Sequence, residues 1–389
     1  MNWKERLKKA FAGLSDKEPR LFQSPGRINL MGDHTDYNMG WVLPAAIDRK
    51  MSMAIQLNHS EQCRVLALDR GDEYQFNLNY LGKNESVDWP NYFIGITSLM
   101  REAGVDVRGF DCVFTSDIPI GAGLSSSAAL CSCLAFALNE IFGGMLPRKR
   151  LVELAQLTEH QYIGVECGKM DQTASLFGKE GHILRLDCRS DEMSYARLRT
   201  GRFEFVICDS GVKHSHASSG YNDRKASCDE VVEYFQKRRN GVTSIRDLTV
   251  EEVRRNKAGL GIVLYRRAAF VLHENQRVVD GSLMLENTDL EGFGNLMYDS
   301  HSGLSNDYEV SCPEMDYLVE LTQSMDYVLG ARMMGGGFGG CTINLVDKKY
   351  LHRFRSLMSE NFWKRYGKPP RIIEVKISDG SKEILKLNA

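Results

Sequence analysis

FDCVFTSDIPIGAGLSSSAALCSCLAFALNEIF, Phe110 to Phe142, holds the reading that decides the fold. It opens with the β-branched and aromatic residues of a strand, Phe110 to Ile118. It turns through Pro119, Gly121 and Gly123, and from Ala128 to Phe142 becomes an Ala/Leu-rich run too long for a strand, which reads as a buried helix. Gly143, Gly144 and Pro147 end that helix. Glycines let the backbone approach a ligand, and a helix start offers unpaired N–H groups and a positive dipole end. Ser125, Ser126 and Ser127 add hydroxyls suited to a phosphate or a metal. This is the recipe for an anion cradle, although not a Walker A loop, since no G-K-[S/T] follows. A well-capped helix after a tight turn is the plainer reading of the same residues.

Working outward, VLALD (Val65 to Asp69), YQFNL (Tyr74 to Leu78), HILRLDC (His182 to Cys188), FEFVICDS (Phe203 to Ser210), CTINLV (Cys341 to Val346) and RIIEVKI (Arg371 to Ile377) read as strands. Arg150 to Gly164, Tyr221 to Lys237 and Tyr265 to Leu285 read as helices. An amphipathic N-terminal helix is expected to bury Trp3, Leu7, Phe11 and Leu14. Strands and helices mixed in both halves argue α/β, with α+β mixed layers. With 389 residues the chain exceeds one ordinary core. Two domains are expected, 1–188 and 189–389, divided at the polar stretch around Asp191 and Glu192.

Bulk properties exclude several classes of function. Hydrophobic residues make up 43% and charged residues 26%, with a formal charge of -2 and no long basic run, so a nucleic-acid partner is not expected. No stretch approaches the length of a membrane span. The ten cysteines form no C-x-x-C and no paired Cys/His cluster, which disfavours structural zinc and fits free thiols in a reducing cytoplasm.

Three further segments stand apart. GRINLMGDHTDYNMG, Gly26 to Gly40, packs Arg27, Asp33, His34 and Asp36 into a turn-rich stretch. A desolvated polyol needs such fixed donors and acceptors, while a solvated loop with Asx-capped turns needs no ligand at all. GARMMGGGFGGC, Gly330 to Cys341, contains a G-x-G-x-x-G string, but it leads into a strand instead of opening a helix, so the dinucleotide-binding context is missing. A close backbone approach to a ligand fits it better than a linker. GKMDQTASLFG, Gly168 to Gly178, begins a short helix with Asp171 near its first turn, where a capping or dipole-paired Asp is also ordinary.

In one order along the chain from about Ser24, these segments resemble the GHMP kinases and, within them, the galactokinases. GRINLMGDHTDYN is similar to the galactokinase signature, GAGLSSSAAL to the family phosphate loop and GARMMGGGFGGCT to its third motif. Thr158 to Gln172, His216 to Asn222 and Asp307 to Asp316 add smaller matches. The resemblance implies a bilobal fold with the active site between two domains. It implies ATP-dependent phosphorylation of the anomeric C1 hydroxyl of galactose, with ATP and Mg²⁺ required and a monomeric state expected. Asp171 would be the catalytic aspartate and Arg27 its cationic partner. Asp33, His34, Asp36, Gly168 and Tyr221 would line the sugar pocket. Gly121, Gly123, Ser125, Ser126, Gly336 and Gly337 would cradle ATP, with Trp89 packed on the adenine. Ser127 and Glu159 would hold Mg²⁺. Asp171 would act either as general base or only to orient the hydroxyl, since an adjacent Arg weakens a carboxylate base.

The chain departs from the family pattern in places. Asp33 stands where the family carries Glu facing the C6 end of the sugar, which retracts the carboxylate by roughly 1.5 Å, one C–C bond. A water would fill that gap, or the preferred sugar would differ there. Lys169 replaces an apolar residue and adds a cation expected near Asp171, and Lys225 and Ser227 stand where Arg and Glu are commoner. The competing readings are a kinase for L-arabinose, N-acetylgalactosamine or a uronic acid, and a catalytically silent sugar sensor. The second is disfavoured because Ser125 to Ser127, Glu159 and Asp171 are all present.

Overall fold

A computed structural model describes residues 2–212 and 217–384. His216, the first residue of the His216–Asn222 match, lies outside them. In chain order the strands are β1 (Arg20–Asn29), β2 (Trp41–Val42), β3 (Pro44–Leu57), β4 (Gln62–Ala67), β5 (Asp72–Asn77), β6 (Phe110–Ser116), β7 (His182–Asp187), β8 (Met193–Arg197), β9 (Phe203–Asp209), β10 (Val328–Met334), β11 (Cys341–Asp347), β12 (Arg371–Glu374) and β13 (Lys382–Glu383). The helices are α1 (Trp3–Ala12), α2 (Pro90–Glu102), α3 (Ser126–Ile141), α4 (Arg148–Thr158), α5 (Met170–Phe177), α6 (Ala217–Gln236), α7 (Val250–Arg255), α8 (Lys257–Glu286), α9 (Leu290–Asn306), α10 (Pro313–Gln323) and α11 (Leu351–Tyr366).

The first sheet has the order β13-β1-β3-β6-β4-β5, antiparallel except where β4 runs parallel to β6. The expected helix from Ala128 is α3, apolar on nearly every side, and it packs across β1 and β3 beneath α2, α4 and α5. The N-terminal helix forms through a capping box between Asn2 and Glu5. It buries Leu7 and Phe11 against Leu21, Ala54 and Val113, with Trp3 and Leu14 half-buried at its margins.

The second sheet, β10-β11-β9-β12, is antiparallel and carries α9, α10 and α11. One core joins the two sheets: Phe205, Ile207, Cys341, Ile343 and Leu345 cluster with Ile28, Leu30, Met53 and Leu134. The expected division at 188/189 falls between β7 and β8, which form one hairpin on β2. The chain crosses to the second sheet only between Arg197 and Phe203. Nor does the second half end there, since β13 returns to pair with β1 and Ser381 bonds Ser24. A strand edge left without partners would have favoured this return. All ten cysteines are free, and among the described residues no helix is long and apolar enough to cross a membrane.

Helix α9 and strand β10 touch through backbone at Gly294 and Gly330. A Cβ added to Gly294 would lie 2.2 Å from the Leu329 carbonyl oxygen. Alanine gains about 1 kcal/mol of helix propensity there, yet overpacking against backbone costs about 1–3 kcal/mol. Gly294→Ala is therefore expected to lower the melting temperature, and a thermal scan that shows a rise would refute the close-approach argument.

Candidate active site

Two glycine loops more than 200 residues apart in sequence meet face to face. The loop between β6 and α3 brings Gly121 and Gly123 against Gly335 and Gly340, with 3.2 Å between the Gly123 carbonyl oxygen and where a Cβ on Gly335 would stand. Ser125, just before α3, sits at φ 59°, a left-handed conformation uncommon for serine that turns its hydroxyl onto Asp171 Oδ2. Arg27, on β1 and almost fully buried, grips the same aspartate with Nε to Oδ1 at 2.8 Å and Nη2 to Oδ2 at 3.1 Å. Its remaining arm, Nη1, bonds the Gly123 carbonyl. Thus β1, the phosphate-loop candidate and α5 converge on one carboxylate in the first turn of α5, where the helix dipole favours negative charge.

The turn after β1 supplies the next wall. Gly32, at φ 100°, places its N–H on Glu274 Oε1 at 2.9 Å, and any side chain there would strike the Trp41 carbonyl. Asn275 of α8 takes the Trp41 N–H at 3.0 Å, so consecutive α8 residues hold both ends of the turn. Asp33 is buried and ion-paired to Arg332 of β10, and its Oδ1 accepts the Gly335 N–H at 3.0 Å. Arg332 also bonds the Asn29 carbonyl and Ser300, which itself donates to Glu274. Burial lowers His34 to about 3, aided by Arg224 and Arg332, so its imidazole is neutral. Burial, followed by the Asp171 charge, raises Asp36 to about 7.

These groups line a cleft with about 560 Å³ of empty space, part of it open to solvent. Arg27, Asp33, His34, Asp36, Ser127, Glu159, Gly168 and Asp171 contribute from the first half of the chain, and Tyr221, Gly335 and Gly336 from the second. Gly168 lies directly against the Asp36 carboxylate. Glu159 opens a π-turn, Glu159–Ile163, where a continuous α-helix was expected up to Gly164. Such turns inside helices favour functional sites because they displace one side chain. Here Glu159 is buried beside Ser127, Cys167 and Gln172, and burial pushes its carboxyl above the ordinary range. Among the described residues no cation pairs with it, although the cleft carries three further carboxylates. A hydrated divalent cation shared with phosphate oxygens fits that deficit. Among the described residues no three His, Cys, Asp or Glu could hold a metal unaided.

Several residues stand differently from expectation. A Cβ on Gly337 would meet the Val310 carbonyl, and the Ser125 hydroxyl donates to Asp171. Trp89 lies apart from the cleft, at the start of α2, packed edge-on to Tyr74 and Phe93. Lys169 is not beside Asp171: it turns outward and pairs with Asp191 of the β7–β8 hairpin. Lys225 pairs with Asp229, and Ser227 takes a hydrogen bond from Arg267. Arg332, Glu274, Cys167 and Gln172 were not singled out from sequence. An arginine inside the apolar run GARMM was a readable signal, because a buried charge requires a partner. Glu274 gave none, since helices commonly carry a Glu on a solvated face.

The family model for the N-terminal domain of GHMP kinases matches residues 91–179, that for the GHMP kinase C-terminal domain 284–364, and the galactokinase galactose-binding signature 9–57. A galactokinase of Roseiflexus sp. (strain RS-1) is 37% identical over 361 residues, covering 92% of each chain. A Thermotoga maritima galactokinase is 37% identical over 371 residues, covering 93% of this chain and 99% of its own. The crystal structure of Lactococcus lactis galactokinase complexed with galactose superposes with a TM-score of 0.94 at 33% identity, covering 98% and 100% of the two chains. A mevalonate kinase structure, at 19% identity and TM-score 0.64, shares the fold.

Asp36 makes a pH prediction. Its folded value, about 7, exceeds its ordinary 3.8, so the native state holds the extra proton between the two, and stability from this group falls as pH rises through that window. Asp36→Asn should therefore lose less thermal stability than the parent chain between about pH 5 and about pH 8. Equal slopes in the ligand-free proteins would show that Asp36 does not titrate there.

Proposed function

The chain belongs to the galactokinase family of the GHMP kinases, and from that membership we propose that it transfers the γ-phosphoryl group of ATP to the anomeric C1 hydroxyl of galactose, releasing galactose 1-phosphate and ADP. The observation that carries the reading is the Arg27–Asp171 pair, set between two facing glycine loops and beside a wall of acceptors suited to a polyol.

Asp33, Asp36 and Tyr221 offer hydroxyl partners to the sugar, and His34 and Gly168 complete that wall. The backbone around Gly121, Gly123 and Gly336 and the start of α3, with Ser126, offers N–H groups to the phosphates. Trp89 gives the adenine a flat apolar neighbour if the base reaches the start of α2. Ser127 and Glu159 would hold Mg²⁺, whose charge neutralises the β- and γ-phosphate oxygens. Asp171 already accepts three hydrogen bonds, leaving one lone-pair direction for the C1 hydroxyl. Arg27 fixes the orientation of that carboxylate and places positive charge where the attacking oxygen develops its own.

Asp171→Asn tests this. Loss of an acid/base group typically costs about 10²–10⁴ in kcat, and the pH–rate profile should flatten if Asp171 takes the proton. A near-normal kcat with an unchanged profile would reduce Asp171 to positioning. Asp33, shortened and held by Arg332, makes the sugar the second question. Galactose should give a higher kcat/KM than L-arabinose, N-acetylgalactosamine or a uronic acid, and the reverse order would overturn the galactose assignment.

A further inference from the structure

A chain of buried hydrogen bonds runs from the sugar wall of the cleft into α6. His34 Nδ1 meets Tyr37 Oη at 2.8 Å, Tyr37 Oη meets Tyr308 Oη at 2.8 Å, and Tyr308 Oη meets Cys228 Sγ at 3.2 Å. The chain ends at Asn38, whose Nδ2 lies 2.9 Å from the His34 carbonyl oxygen and 3.4 Å from Cys228 Sγ. Ring packing leaves these side chains little room to turn: His34 stands 5.0 Å from Tyr308 and 5.3 Å from Tyr221, centroid to centroid.

The Asn38 end fixes its own bonds, and the cleft end sets the order of the rest. A carbonyl oxygen can only accept, so the amide atom against it is the nitrogen, and that nitrogen's second N–H points at the Cys228 sulfur. The sulfur can accept from Tyr308 as well, so by itself the Cys228–Tyr308 bond runs either way. With the His34 proton on Nε2, Nδ1 accepts from Tyr37, Tyr37 from Tyr308 and Tyr308 from the Cys228 thiol. Buried and flanked by Arg224 and Arg332, the ring is neutral and carries one proton, which the carboxylates lining the cleft favour on Nε2, since Nδ1 is turned to Tyr37. Among the described residues no hydrogen bond reaches Nε2, and the ring lines the cleft. The backbone carbonyl of Gly336, in the same cleft, also favours a ring proton.

We propose that Cys228, Tyr308 and Tyr37 are positioning residues that hold His34 as its Nε2–H tautomer, so that the ring presents a donor, not an acceptor, to a substrate hydroxyl oxygen. Only the identity of that substrate rests on the galactokinase reading. The donor has a specific use here, because Asp33, Asp36, Asp171 and Glu159 give the cleft an excess of acceptors. A hydroxyl that donates to one of these carboxylates keeps its oxygen lone pairs for the imidazole N–H. The wall thereby demands a hydroxyl and not merely a polar group at that position.

The test reads the tautomer directly in the sugar-free chain labelled with ¹⁵N-histidine, His34 being assigned by its loss in His34→Gln. Near neutral pH, two-bond ¹H–¹⁵N correlation should show Nε2 protonated and Nδ1 bare and hydrogen-bonded. Tyr37→Phe should move the Nδ1 resonance to that of an unbonded ring nitrogen. It should also raise KM for the sugar about fivefold to tenfold, the loss of one positioned hydrogen bond, with kcat and KM for ATP within about twofold. Should Tyr37→Phe fail to fold, Tyr308→Phe serves, since it frees the Tyr37 hydroxyl to turn and should shift Nδ1 the same way. A wild-type spectrum showing Nδ1–H or imidazolium overturns the proposal, as does a folded variant with unchanged Nδ1 resonance and sugar KM. A chain that failed to phosphorylate galactose would leave the tautomer readable, so the two readings fail separately.

Discussion

The buried ion pair between Asp33 and Arg332 ties the site together. Asp33 follows β1 of the first sheet, and Arg332 lies on β10 of the second, so the pair spans the join between them. Neither side chain has meaningful exposure, at 1% and 0%. Isolated, each charge would carry a heavy desolvation cost, and removing one partner of such a pair typically costs about 3–5 kcal/mol. The surroundings supply further partners, although among the described residues Arg332 Nε has none. Gly335 N–H completes Asp33, and Asn29 and Ser300 take further arms of Arg332. Through Ser300 the network reaches Glu274, which holds Gly32, the residue before Asp33. The loop, the second sheet and two helices are locked in one polar circuit that only this tertiary arrangement satisfies.

That circuit has a chemical consequence. Phosphoryl transfer asks for little covalent work and much positioning, so catalytic strength depends on charges fixed before the substrates arrive. Arg27 is held through both Asp171 and Gly123, which belong to other parts of the site. The acceptor-rich cleft leaves Glu159 raised and uncompensated and Asp36 near neutrality. Both are states that a bound cation and a polyol would relieve. A cleft that is electrostatically unfinished by itself is one whose ligands complete it.

Much of the fold was legible locally. The strand–glycine loop–helix unit from Phe110 to Phe142 forms as its composition requires, because apolar periodicity and glycine punctuation act over a few residues. The roles of Arg27, Asp171, Ser127 and Glu159 came through family resemblance, and the structure brings those side chains to one cleft. Lys169 shows the limit: adjacency to Asp171 in sequence says nothing of direction, and at the start of α5 successive side chains diverge, so it meets Asp191 instead.

By itself, then, the sequence determined the elements, the order of the motifs and the family, because these depend on periodicity, turn chemistry and residue identity at short range. Tertiary structure alone decided that β7 and β8 stay together across the expected boundary, that β13 returns to β1, and that Arg332 and Glu274 hold the turn carrying Asp33. Those outcomes depend on unpaired strand edges and buried charges finding partners, and such partners lie far along the chain where no local pattern points to them.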